Sequence, residues 1–211
     1  MNPNSINESN AVITAIANPD LAVEIAKQFP DLLIEISISV EEQLENLARA
    51  FPDQAIELIR GIPFRACRIA AALPEKVMEI AGMISIVQIP ALAEAVPAAA
   101  AELVEKYGTR SWEIVLAVPD QAVAIAIKNP NLAVRIAEKF PPQALELARI
   151  LPDRALAIAI AMPDLAAQIA NLHPQLAPAI IQRVPRAKEE ILASFRQTRP
   201  EADADPSQVT T

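Results

Sequence analysis

The feature that most constrains this chain is a motif of eleven residues that recurs along most of its length. It reads Pro-Asp-x-Ala-φ-x-Ile-Ala-x-x-φ, where φ is an apolar residue. Every step between repeats is 11 residues, except one step of 12 from Pro74 to Ile86. Thirteen of the sixteen repeats begin with proline; the sixteen starts are Pro19, Pro30, Glu41, Pro52, Pro63, Pro74, Ile86, Pro97, Gly108, Pro119, Pro130, Pro141, Pro152, Pro163, Pro174 and Pro185. Such self-similarity is typical of proteins built by stacking one structural unit.

The seventh position of the repeat is its most constant feature. It holds Ile or Leu in all sixteen repeats, including the three that lack proline. Alanine occupies position four in ten repeats and position eight in ten. At 100° per residue, positions 1, 4, 5, 7, 8 and 11 fall on one arc of about 160°, and most charged residues fall opposite. We therefore predict an amphipathic α-helix in each repeat and no strands.

Proline distinguishes one continuous helix from many short ones. A period of eleven residues, about 3.67 per turn, would also keep the apolar face of a continuous helix aligned. Proline inside a helix costs about 3 kcal/mol, whereas at the first helical position its missing N–H is no loss. We predict separate helices of roughly eight or nine residues, joined by turns of two or three. Asn18 and Asn129, which precede prolines, are predicted to cap their helices.

These patterns predict an all-α fold: an elongated α-solenoid of about sixteen short, proline-initiated helices packed antiparallel in two layers. Helices this short are marginal alone, so their stability must come from neighbouring repeats. Two repeats would form one hairpin, and a spiral with more helices per turn is the alternative. Position nine alternates between charged and uncharged pairs of repeats. This alternation is either chance or the mark of a four-helix superhelical period.

The motif also predicts how the chain is divided. Residues 1–18 lack it and are predicted to form an N-terminal segment or capping helix. Residues 19–195 form the repeat array, and residues 196–211 are predicted to be a disordered polar tail. The extra residue, Gly82 and Gly108 predict a seam or bend near residues 82–110.

Composition argues against several classes of partner. A net charge of −8 opposes general nucleic-acid binding, which needs a basic surface. No signal peptide is expected, and no apolar stretch reaches the roughly 20 residues of a spanning helix, so no stable membrane insertion is expected. A single cysteine, Cys67, excludes an internal disulfide and favours a cytoplasmic location.

The residues needed for chemistry are scarce. His173 is the only histidine, so neither a zinc site nor a catalytic triad has its usual ligands or partners. Three glycines, at positions 61, 82 and 108, do not form a phosphate-binding loop. We expect no cofactor, no metal and no catalytic residue, and the chain is not predicted to be an enzyme.

A constant core with variable outer positions favours a non-catalytic scaffold for protein–protein interaction. The predicted partner-contact residues are Trp112, Leu116, Ile127 and Ile160, which lie in stretches with few charges. The alternative is a structural protein that assembles with copies of itself, as a dimer or end to end. Membrane-surface association is a third reading, which the acidic polar faces oppose.

Overall fold

The computed structural model describes residues 6–198, which contain seventeen short α-helices and no strand. The fold is an all-α helical repeat, as predicted. The helices are α1 Glu8–Ala17, α2 Ala22–Gln28, α3 Leu33–Ser39, α4 Leu44–Ala50, α5 Ala55–Gly61, α6 Ala66–Ala72, α7 Val77–Ala81, α8 Ile89–Ala95, α9 Ala100–Lys106, α10 Ser111–Ala117, α11 Ala122–Lys128, α12 Ala133–Lys139, α13 Ala144–Ile150, α14 Pro152–Ala161, α15 Ala166–Leu172, α16 Ala177–Arg183 and α17 Lys188–Thr198.

A three-residue 3₁₀ turn leads into each helix from α2 onward, except α14, which includes the corresponding residues. These turns are Pro19–Leu21, Pro30–Leu32, Glu41–Gln43, Pro52–Gln54, Pro63–Arg65, Pro74–Lys76, Ile86–Gln88, Pro97–Ala99, Gly108–Arg110, Pro119–Gln121, Pro130–Leu132, Pro141–Gln143, Pro163–Leu165, Pro174–Leu176 and Pro185–Ala187. The first residue of each turn is position one of its repeat, where proline fits because its N–H is not required.

One residue, at position eleven, joins most repeats to the next. Its backbone is not helical, as in Phe29 (φ −129°, ψ 72°) and His173 (φ −132°, ψ 74°). This avoids the α region, which a following proline disfavours. The predicted linker of two or three residues is therefore too long, because the 3₁₀ turn and the helix together occupy ten of the eleven positions. No residue from 6 to 198 has a positive φ, so the described turns do not rely on glycine.

Backbone hydrogen bonds, not side-chain caps, satisfy backbone N–H groups where one repeat ends and the next begins. The N–H of Phe29 donates to the carbonyl of Ile25 at 2.8 Å, and the N–H of Leu32 donates to the carbonyl of Phe29 at 3.1 Å. The same two bonds recur in most repeats. Asn18 and Asn129 form no side-chain cap, so that prediction is wrong: the recurring backbone bonds already satisfy the donors that a cap would serve.

The core consists of the positions that the repeat keeps most constant. The Ile or Leu at position seven is buried in all sixteen repeats, and position four is buried in fifteen, with Lys188 as the exception. Position one was expected to share this apolar face, but its residues are exposed or half-buried. At 2.0 Å per residue in a 3₁₀ turn, position one lies roughly 6 Å beyond position four along the axis, at the edge of the layer.

The chain divides after Gln121 into two compact units, called here the first and second units. Within each unit, most helices pack against the next helix and against the helix two repeats away. In the first unit α3 contacts α5 and α4 contacts α6; in the second, α13 contacts α15 and α12 contacts α14. The axes of α14 and α15 bend by 120°, so the chain turns back obliquely at that junction. Helices with odd and even numbers thus form two layers within each unit, and the four-helix period stays a prediction.

The irregular stretch near Gly82 is short. Helix α7 is only five residues long and ends at Ala81, and the extra residue is accommodated before Ile86. The N–H of Ser85 donates to Oε1 of Gln88 at 3.2 Å, which closes the start of the next turn. The repeat at Gly108 has the same turn and helix as its neighbours. A bend between residues 82 and 110 remains a prediction.

The two ends of the array are described only in part. Helix α1 lies within the predicted N-terminal segment, and the side-chain oxygen of Asn7 accepts from the N–H of Asn10 at 3.2 Å. Helix α17 runs to Thr198, two residues beyond the predicted start of the tail. Residues 1–5 and 199–211 lie outside the described part of the chain, and the predicted disorder of residues 199–211 falls there.

Candidate interaction surfaces

Positions two and nine of the repeat face solvent throughout the array. Both positions are exposed in all sixteen repeats. They lie opposite positions four, seven and eight, as the period of a helix requires. The residues that differ most between repeats are therefore also those that a partner can reach.

The four predicted contact residues are all at least partly exposed. Leu116 is 45% exposed, Ile127 48% and Ile160 43%, each at position nine. Trp112, at position five of α10, is half-buried. In the second unit Ile127 lies on α11 and Ile160 on α14, which belong to different layers. Single aliphatic residues are common on soluble proteins, so partner binding at these four residues stays a prediction.

The sequence reasoning missed exposed apolar residues at position two of the repeat. Phe64 is 73% exposed and Val87 is 63% exposed. Both stand at position two, where most repeats have Asp, Glu or another polar residue. The guanidinium carbon of Arg65 lies 5.0 Å from the centroid of the Phe64 ring, a cation–π contact. A comparison of position two across the repeats would have found both residues.

An ion-pair cluster occupies the place of the missing proline at Glu41. One carboxylate oxygen of Glu41 lies 2.8 Å from Nη2 of Arg65, and the other lies 3.2 Å from Nη1 of Arg68. Nε of Arg68 also lies 2.8 Å from a carboxylate oxygen of Glu45. The Arg65 side chain is only 11% exposed, so its charge needs a partner. These four charges pair with one another, which gives the glutamate at position 41 a structural role in place of proline. Because the charges are already paired, the cluster is a poor site for a ligand.

Two grooves open between helices that lie two repeats apart. A groove of about 600 Å³ between α13 and α15 is lined chiefly by Leu145, Glu146, Arg149, Gln168, Asn171 and Leu172. A groove of about 300 Å³ between α3 and α5 is lined by Pro30, Asp31, Leu33, Ile34, Gln54 and Glu57. Neither was predicted, because finding them requires knowing which non-consecutive helices are neighbours.

Charge is distributed unevenly between the two units. Residues 1–121 hold 17 of the 26 acidic and 8 of the 18 basic residues, and residues 122–211 hold the other 9 and 10. The first unit therefore carries a net charge of −9 and the second +1. Position six is glutamate in eight repeats; four of these, Glu35, Glu57, Glu79 and Glu102, fall in alternate repeats of the first unit and are exposed.

The single histidine and the single cysteine belong to the residue types most often used in catalysis, but their surroundings favour a structural role. Nε2 of His173 donates to the carbonyl of Ala148 at 2.7 Å. Burial raises the pKa of the Cys67 thiol above 9.0, a backbone hydrogen bond lowers it in part, and the charge of Glu94 raises it further. Among residues 6–198, no three His, Cys, Asp or Glu side chains are grouped so that they could hold a metal ion.

Within residues 6–198 no single helix has both the length and the apolar composition to cross a membrane. One pair of consecutive segments in that range, Pro152–Ala161 and Pro163–Leu172, meets both conditions when taken together, and the two are bent by 120° relative to each other.

No family of proteins, no characterised protein and no solved structure is significantly similar to this chain.

Proposed function

We propose that this chain is a non-catalytic helical-repeat scaffold that binds protein partners through its outward-facing repeat positions. The observation that carries this proposal is the contrast between positions seven and nine. Position seven is always Ile or Leu and always buried, whereas position nine is always exposed and differs in size and charge among repeats. A constant core with a variable surface is the arrangement by which other repeat proteins present extended binding surfaces.

The test is affinity capture with the intact chain and surface variants. Immobilised protein is incubated with extract of its own cells, and retained proteins are identified by mass spectrometry. One variant carries Leu116→Glu and Ile127→Glu, and the control carries Glu138→Gln at the same repeat position. We expect at least one protein to be retained by the wild type and the control and to be lost from the double variant.

Two results contradict the proposal. One is that nothing is retained above a bead-only control. The other is that retained proteins are unaffected by substitution at Leu116 and Ile127 and also by charge substitution at position two or nine elsewhere in the array. Retention that depends on other outward positions instead supports a scaffold and rejects only these two contact residues.

A second candidate function is self-assembly. It is favoured by helix α1, on which Ile13 is 69% exposed and Ile16 is 52% exposed. Exposed aliphatic residues on one helix are the kind of surface that a second copy covers. Light scattering over a wide concentration range tests this candidate. A molecular weight of one chain, near 22.7 kDa, at every concentration rules it out.

A further inference from the structure

The groove between α3 and α5 combines an aliphatic floor with an acidic rim. Leu33 lies buried beneath it, Ile34 is 37% exposed, and Pro30 forms one edge. The volume of about 300 Å³ is at the lower end of ligand sites. A space of this size suits one or two aliphatic side chains of an extended segment.

Gly61 shapes this groove by bringing α5 close to α3. A Cβ at Gly61 would lie 2.9 Å from Cγ2 of Ile34, too close for an ordinary contact. The absence of a side chain therefore lets the Ile34 side chain pack against the backbone of α5 and remain as the exposed part of the floor.

The rim carries charge that the chain does not neutralise. Asp31 and Glu57 line the groove, and Asp53 and Glu35 occupy the same two repeat positions beside them. All four are exposed, and within the described residues none forms an ion pair. Arg60, at position nine of α5, is the one basic residue on these two helices and their turns.

We propose that this groove binds an extended, basic peptide segment of a partner protein, with an aliphatic side chain on the floor and Lys or Arg side chains against the rim. This inference rests on the proposed scaffold function and names the class of partner for one of its surfaces. Carboxylates beside a low-dielectric floor create a negative potential that attracts cations and repels acidic segments. The net charge of −9 on the first unit acts in the same direction.

The second unit offers an internal comparison. Its groove between α13 and α15 has one acidic residue, Glu146, one basic residue, Arg149, and two amides. Its lining is close to neutral, as is the second unit as a whole at +1. A basic segment should therefore prefer the groove between α3 and α5.

The experiment measures binding of a fluorescein-labelled peptide, Gly-Lys-Leu-Lys-Gly-Leu-Lys-Gly, by fluorescence anisotropy. The full-length chain is compared with a rim variant that carries Asp31→Asn, Glu35→Gln, Asp53→Asn and Glu57→Gln. The matched control neutralises four acidic residues of the second unit through Glu138→Gln, Glu146→Gln, Asp153→Asn and Asp164→Asn. These substitutions keep side-chain size and lie at exposed positions, and circular dichroism confirms that each variant is folded.

We expect the rim variant to bind about tenfold more weakly, because the charges of four exposed carboxylates, which attract the three Lys side chains, are removed together. The control variant should bind within about twofold of the wild type, since its carboxylates lie outside the groove. Ile34→Ser, which leaves every charge in place, should also weaken binding. A peptide with Ser in place of Leu should bind more weakly, and one with Glu in place of Lys should not bind.

Three results would overturn the proposal: no binding of the basic peptide to the wild type, equal weakening in the rim and control variants, or equal binding of the Leu and Ser peptides. The last two would indicate attraction to net charge alone. The scaffold proposal can fail independently of the groove proposal, because the capture experiment detects partners bound at any surface. Partners retained there without peptide binding here would reject only the groove.

Discussion

Gly108 is the position at which the role of proline is best tested, by adding one. It begins the turn before α10, where thirteen other repeats have proline. Tyr107 before it has φ −117° and ψ 50°, so it already avoids the α region that a following proline disfavours. A Cβ at Gly108 would meet no atom within 4 Å, and no bond from its backbone N–H occurs in the described chain. Proline therefore fits here without strain.

We expect Gly108→Pro to raise the free energy of unfolding by about 1 kcal/mol. A compatible proline stabilises mainly by restricting the unfolded chain, and glycine is the residue with most freedom to lose. In a chain of this size the corresponding rise in melting temperature is roughly 2–4 °C. Urea denaturation followed by far-ultraviolet circular dichroism measures the free energy, and Gly108→Ala shows how much of the gain comes from removing glycine.

The opposite substitution within a helix is the control. Ala71 is exposed at position nine of its repeat, inside α6, so a larger side chain meets no core there. Ala71→Pro should nevertheless cost about 3 kcal/mol or more, because it removes a helical hydrogen bond and clashes with the preceding turn. If Gly108→Pro destabilises the chain by a similar amount, proline does not mark the start of a repeat and the reasoning is refuted.

Two further predictions concern side chains that are buried or half-buried. Ile136→Ala removes a side chain that is 0% exposed, so it should lower the free energy of unfolding by about 2–5 kcal/mol. Ile160→Ala, at a residue 43% exposed, should change it by only about 0.5 kcal/mol, and equal losses would contradict the assignment of positions seven and nine. Burial of Cys67, aided by the charge of Glu94, raises the pKa of its thiol, so a disulfide reagent should react with it more slowly than with a free thiol. The contribution of this raised pKa to the free energy of unfolding is present at neutral pH and is lost as the pH rises past 9.0. The thiol also ionises in that range, so its reaction with the reagent should accelerate there. A reaction rate at pH 8 equal to that of the unfolded chain would contradict the raised pKa.

Position seven shows why the core could be predicted from the sequence. A branched aliphatic residue that recurs in sixteen copies at one helical position has to be buried, and all sixteen are. Proline likewise predicted where thirteen of the sixteen repeats begin, although twelve of these prolines start a 3₁₀ turn and only Pro152 starts an α-helix. The linker length could not be predicted in the same way, because a spacing of eleven residues does not reveal how many of them are helical.

The surfaces were harder to predict because they depend on contacts between residues far apart in sequence. The grooves form between helices two repeats apart, whereas the sequence alone left open how many helices make one turn. Exposed Leu116 and Ile127 were found from the pattern, since position nine lies opposite the core. The carboxylates beside Ile34 are visible in the sequence, but only the contact of α3 with α5 shows that they share one groove.

A designed disulfide tests most directly whether helices two repeats apart are neighbours. A Cβ at Gly61 would lie 2.9 Å from Cγ2 of Ile34, which is one bond from its own Cβ. The two Cβ atoms are thus within about 4.4 Å, a distance that a disulfide can bridge. In one continuous helix the same residues would be roughly 40 Å apart.

The measurement is the thiol content and intact mass of an Ile34→Cys, Gly61→Cys chain after mild oxidation, with Cys67→Ala to remove the native thiol. The control moves one cysteine by one residue, to the exposed Arg60. We predict a disulfide within the monomer for the first pair, and little for the control pair under the same conditions. Two free thiols in the first pair, or disulfides only between chains, would contradict a fold in which α5 packs on α3, two repeats away.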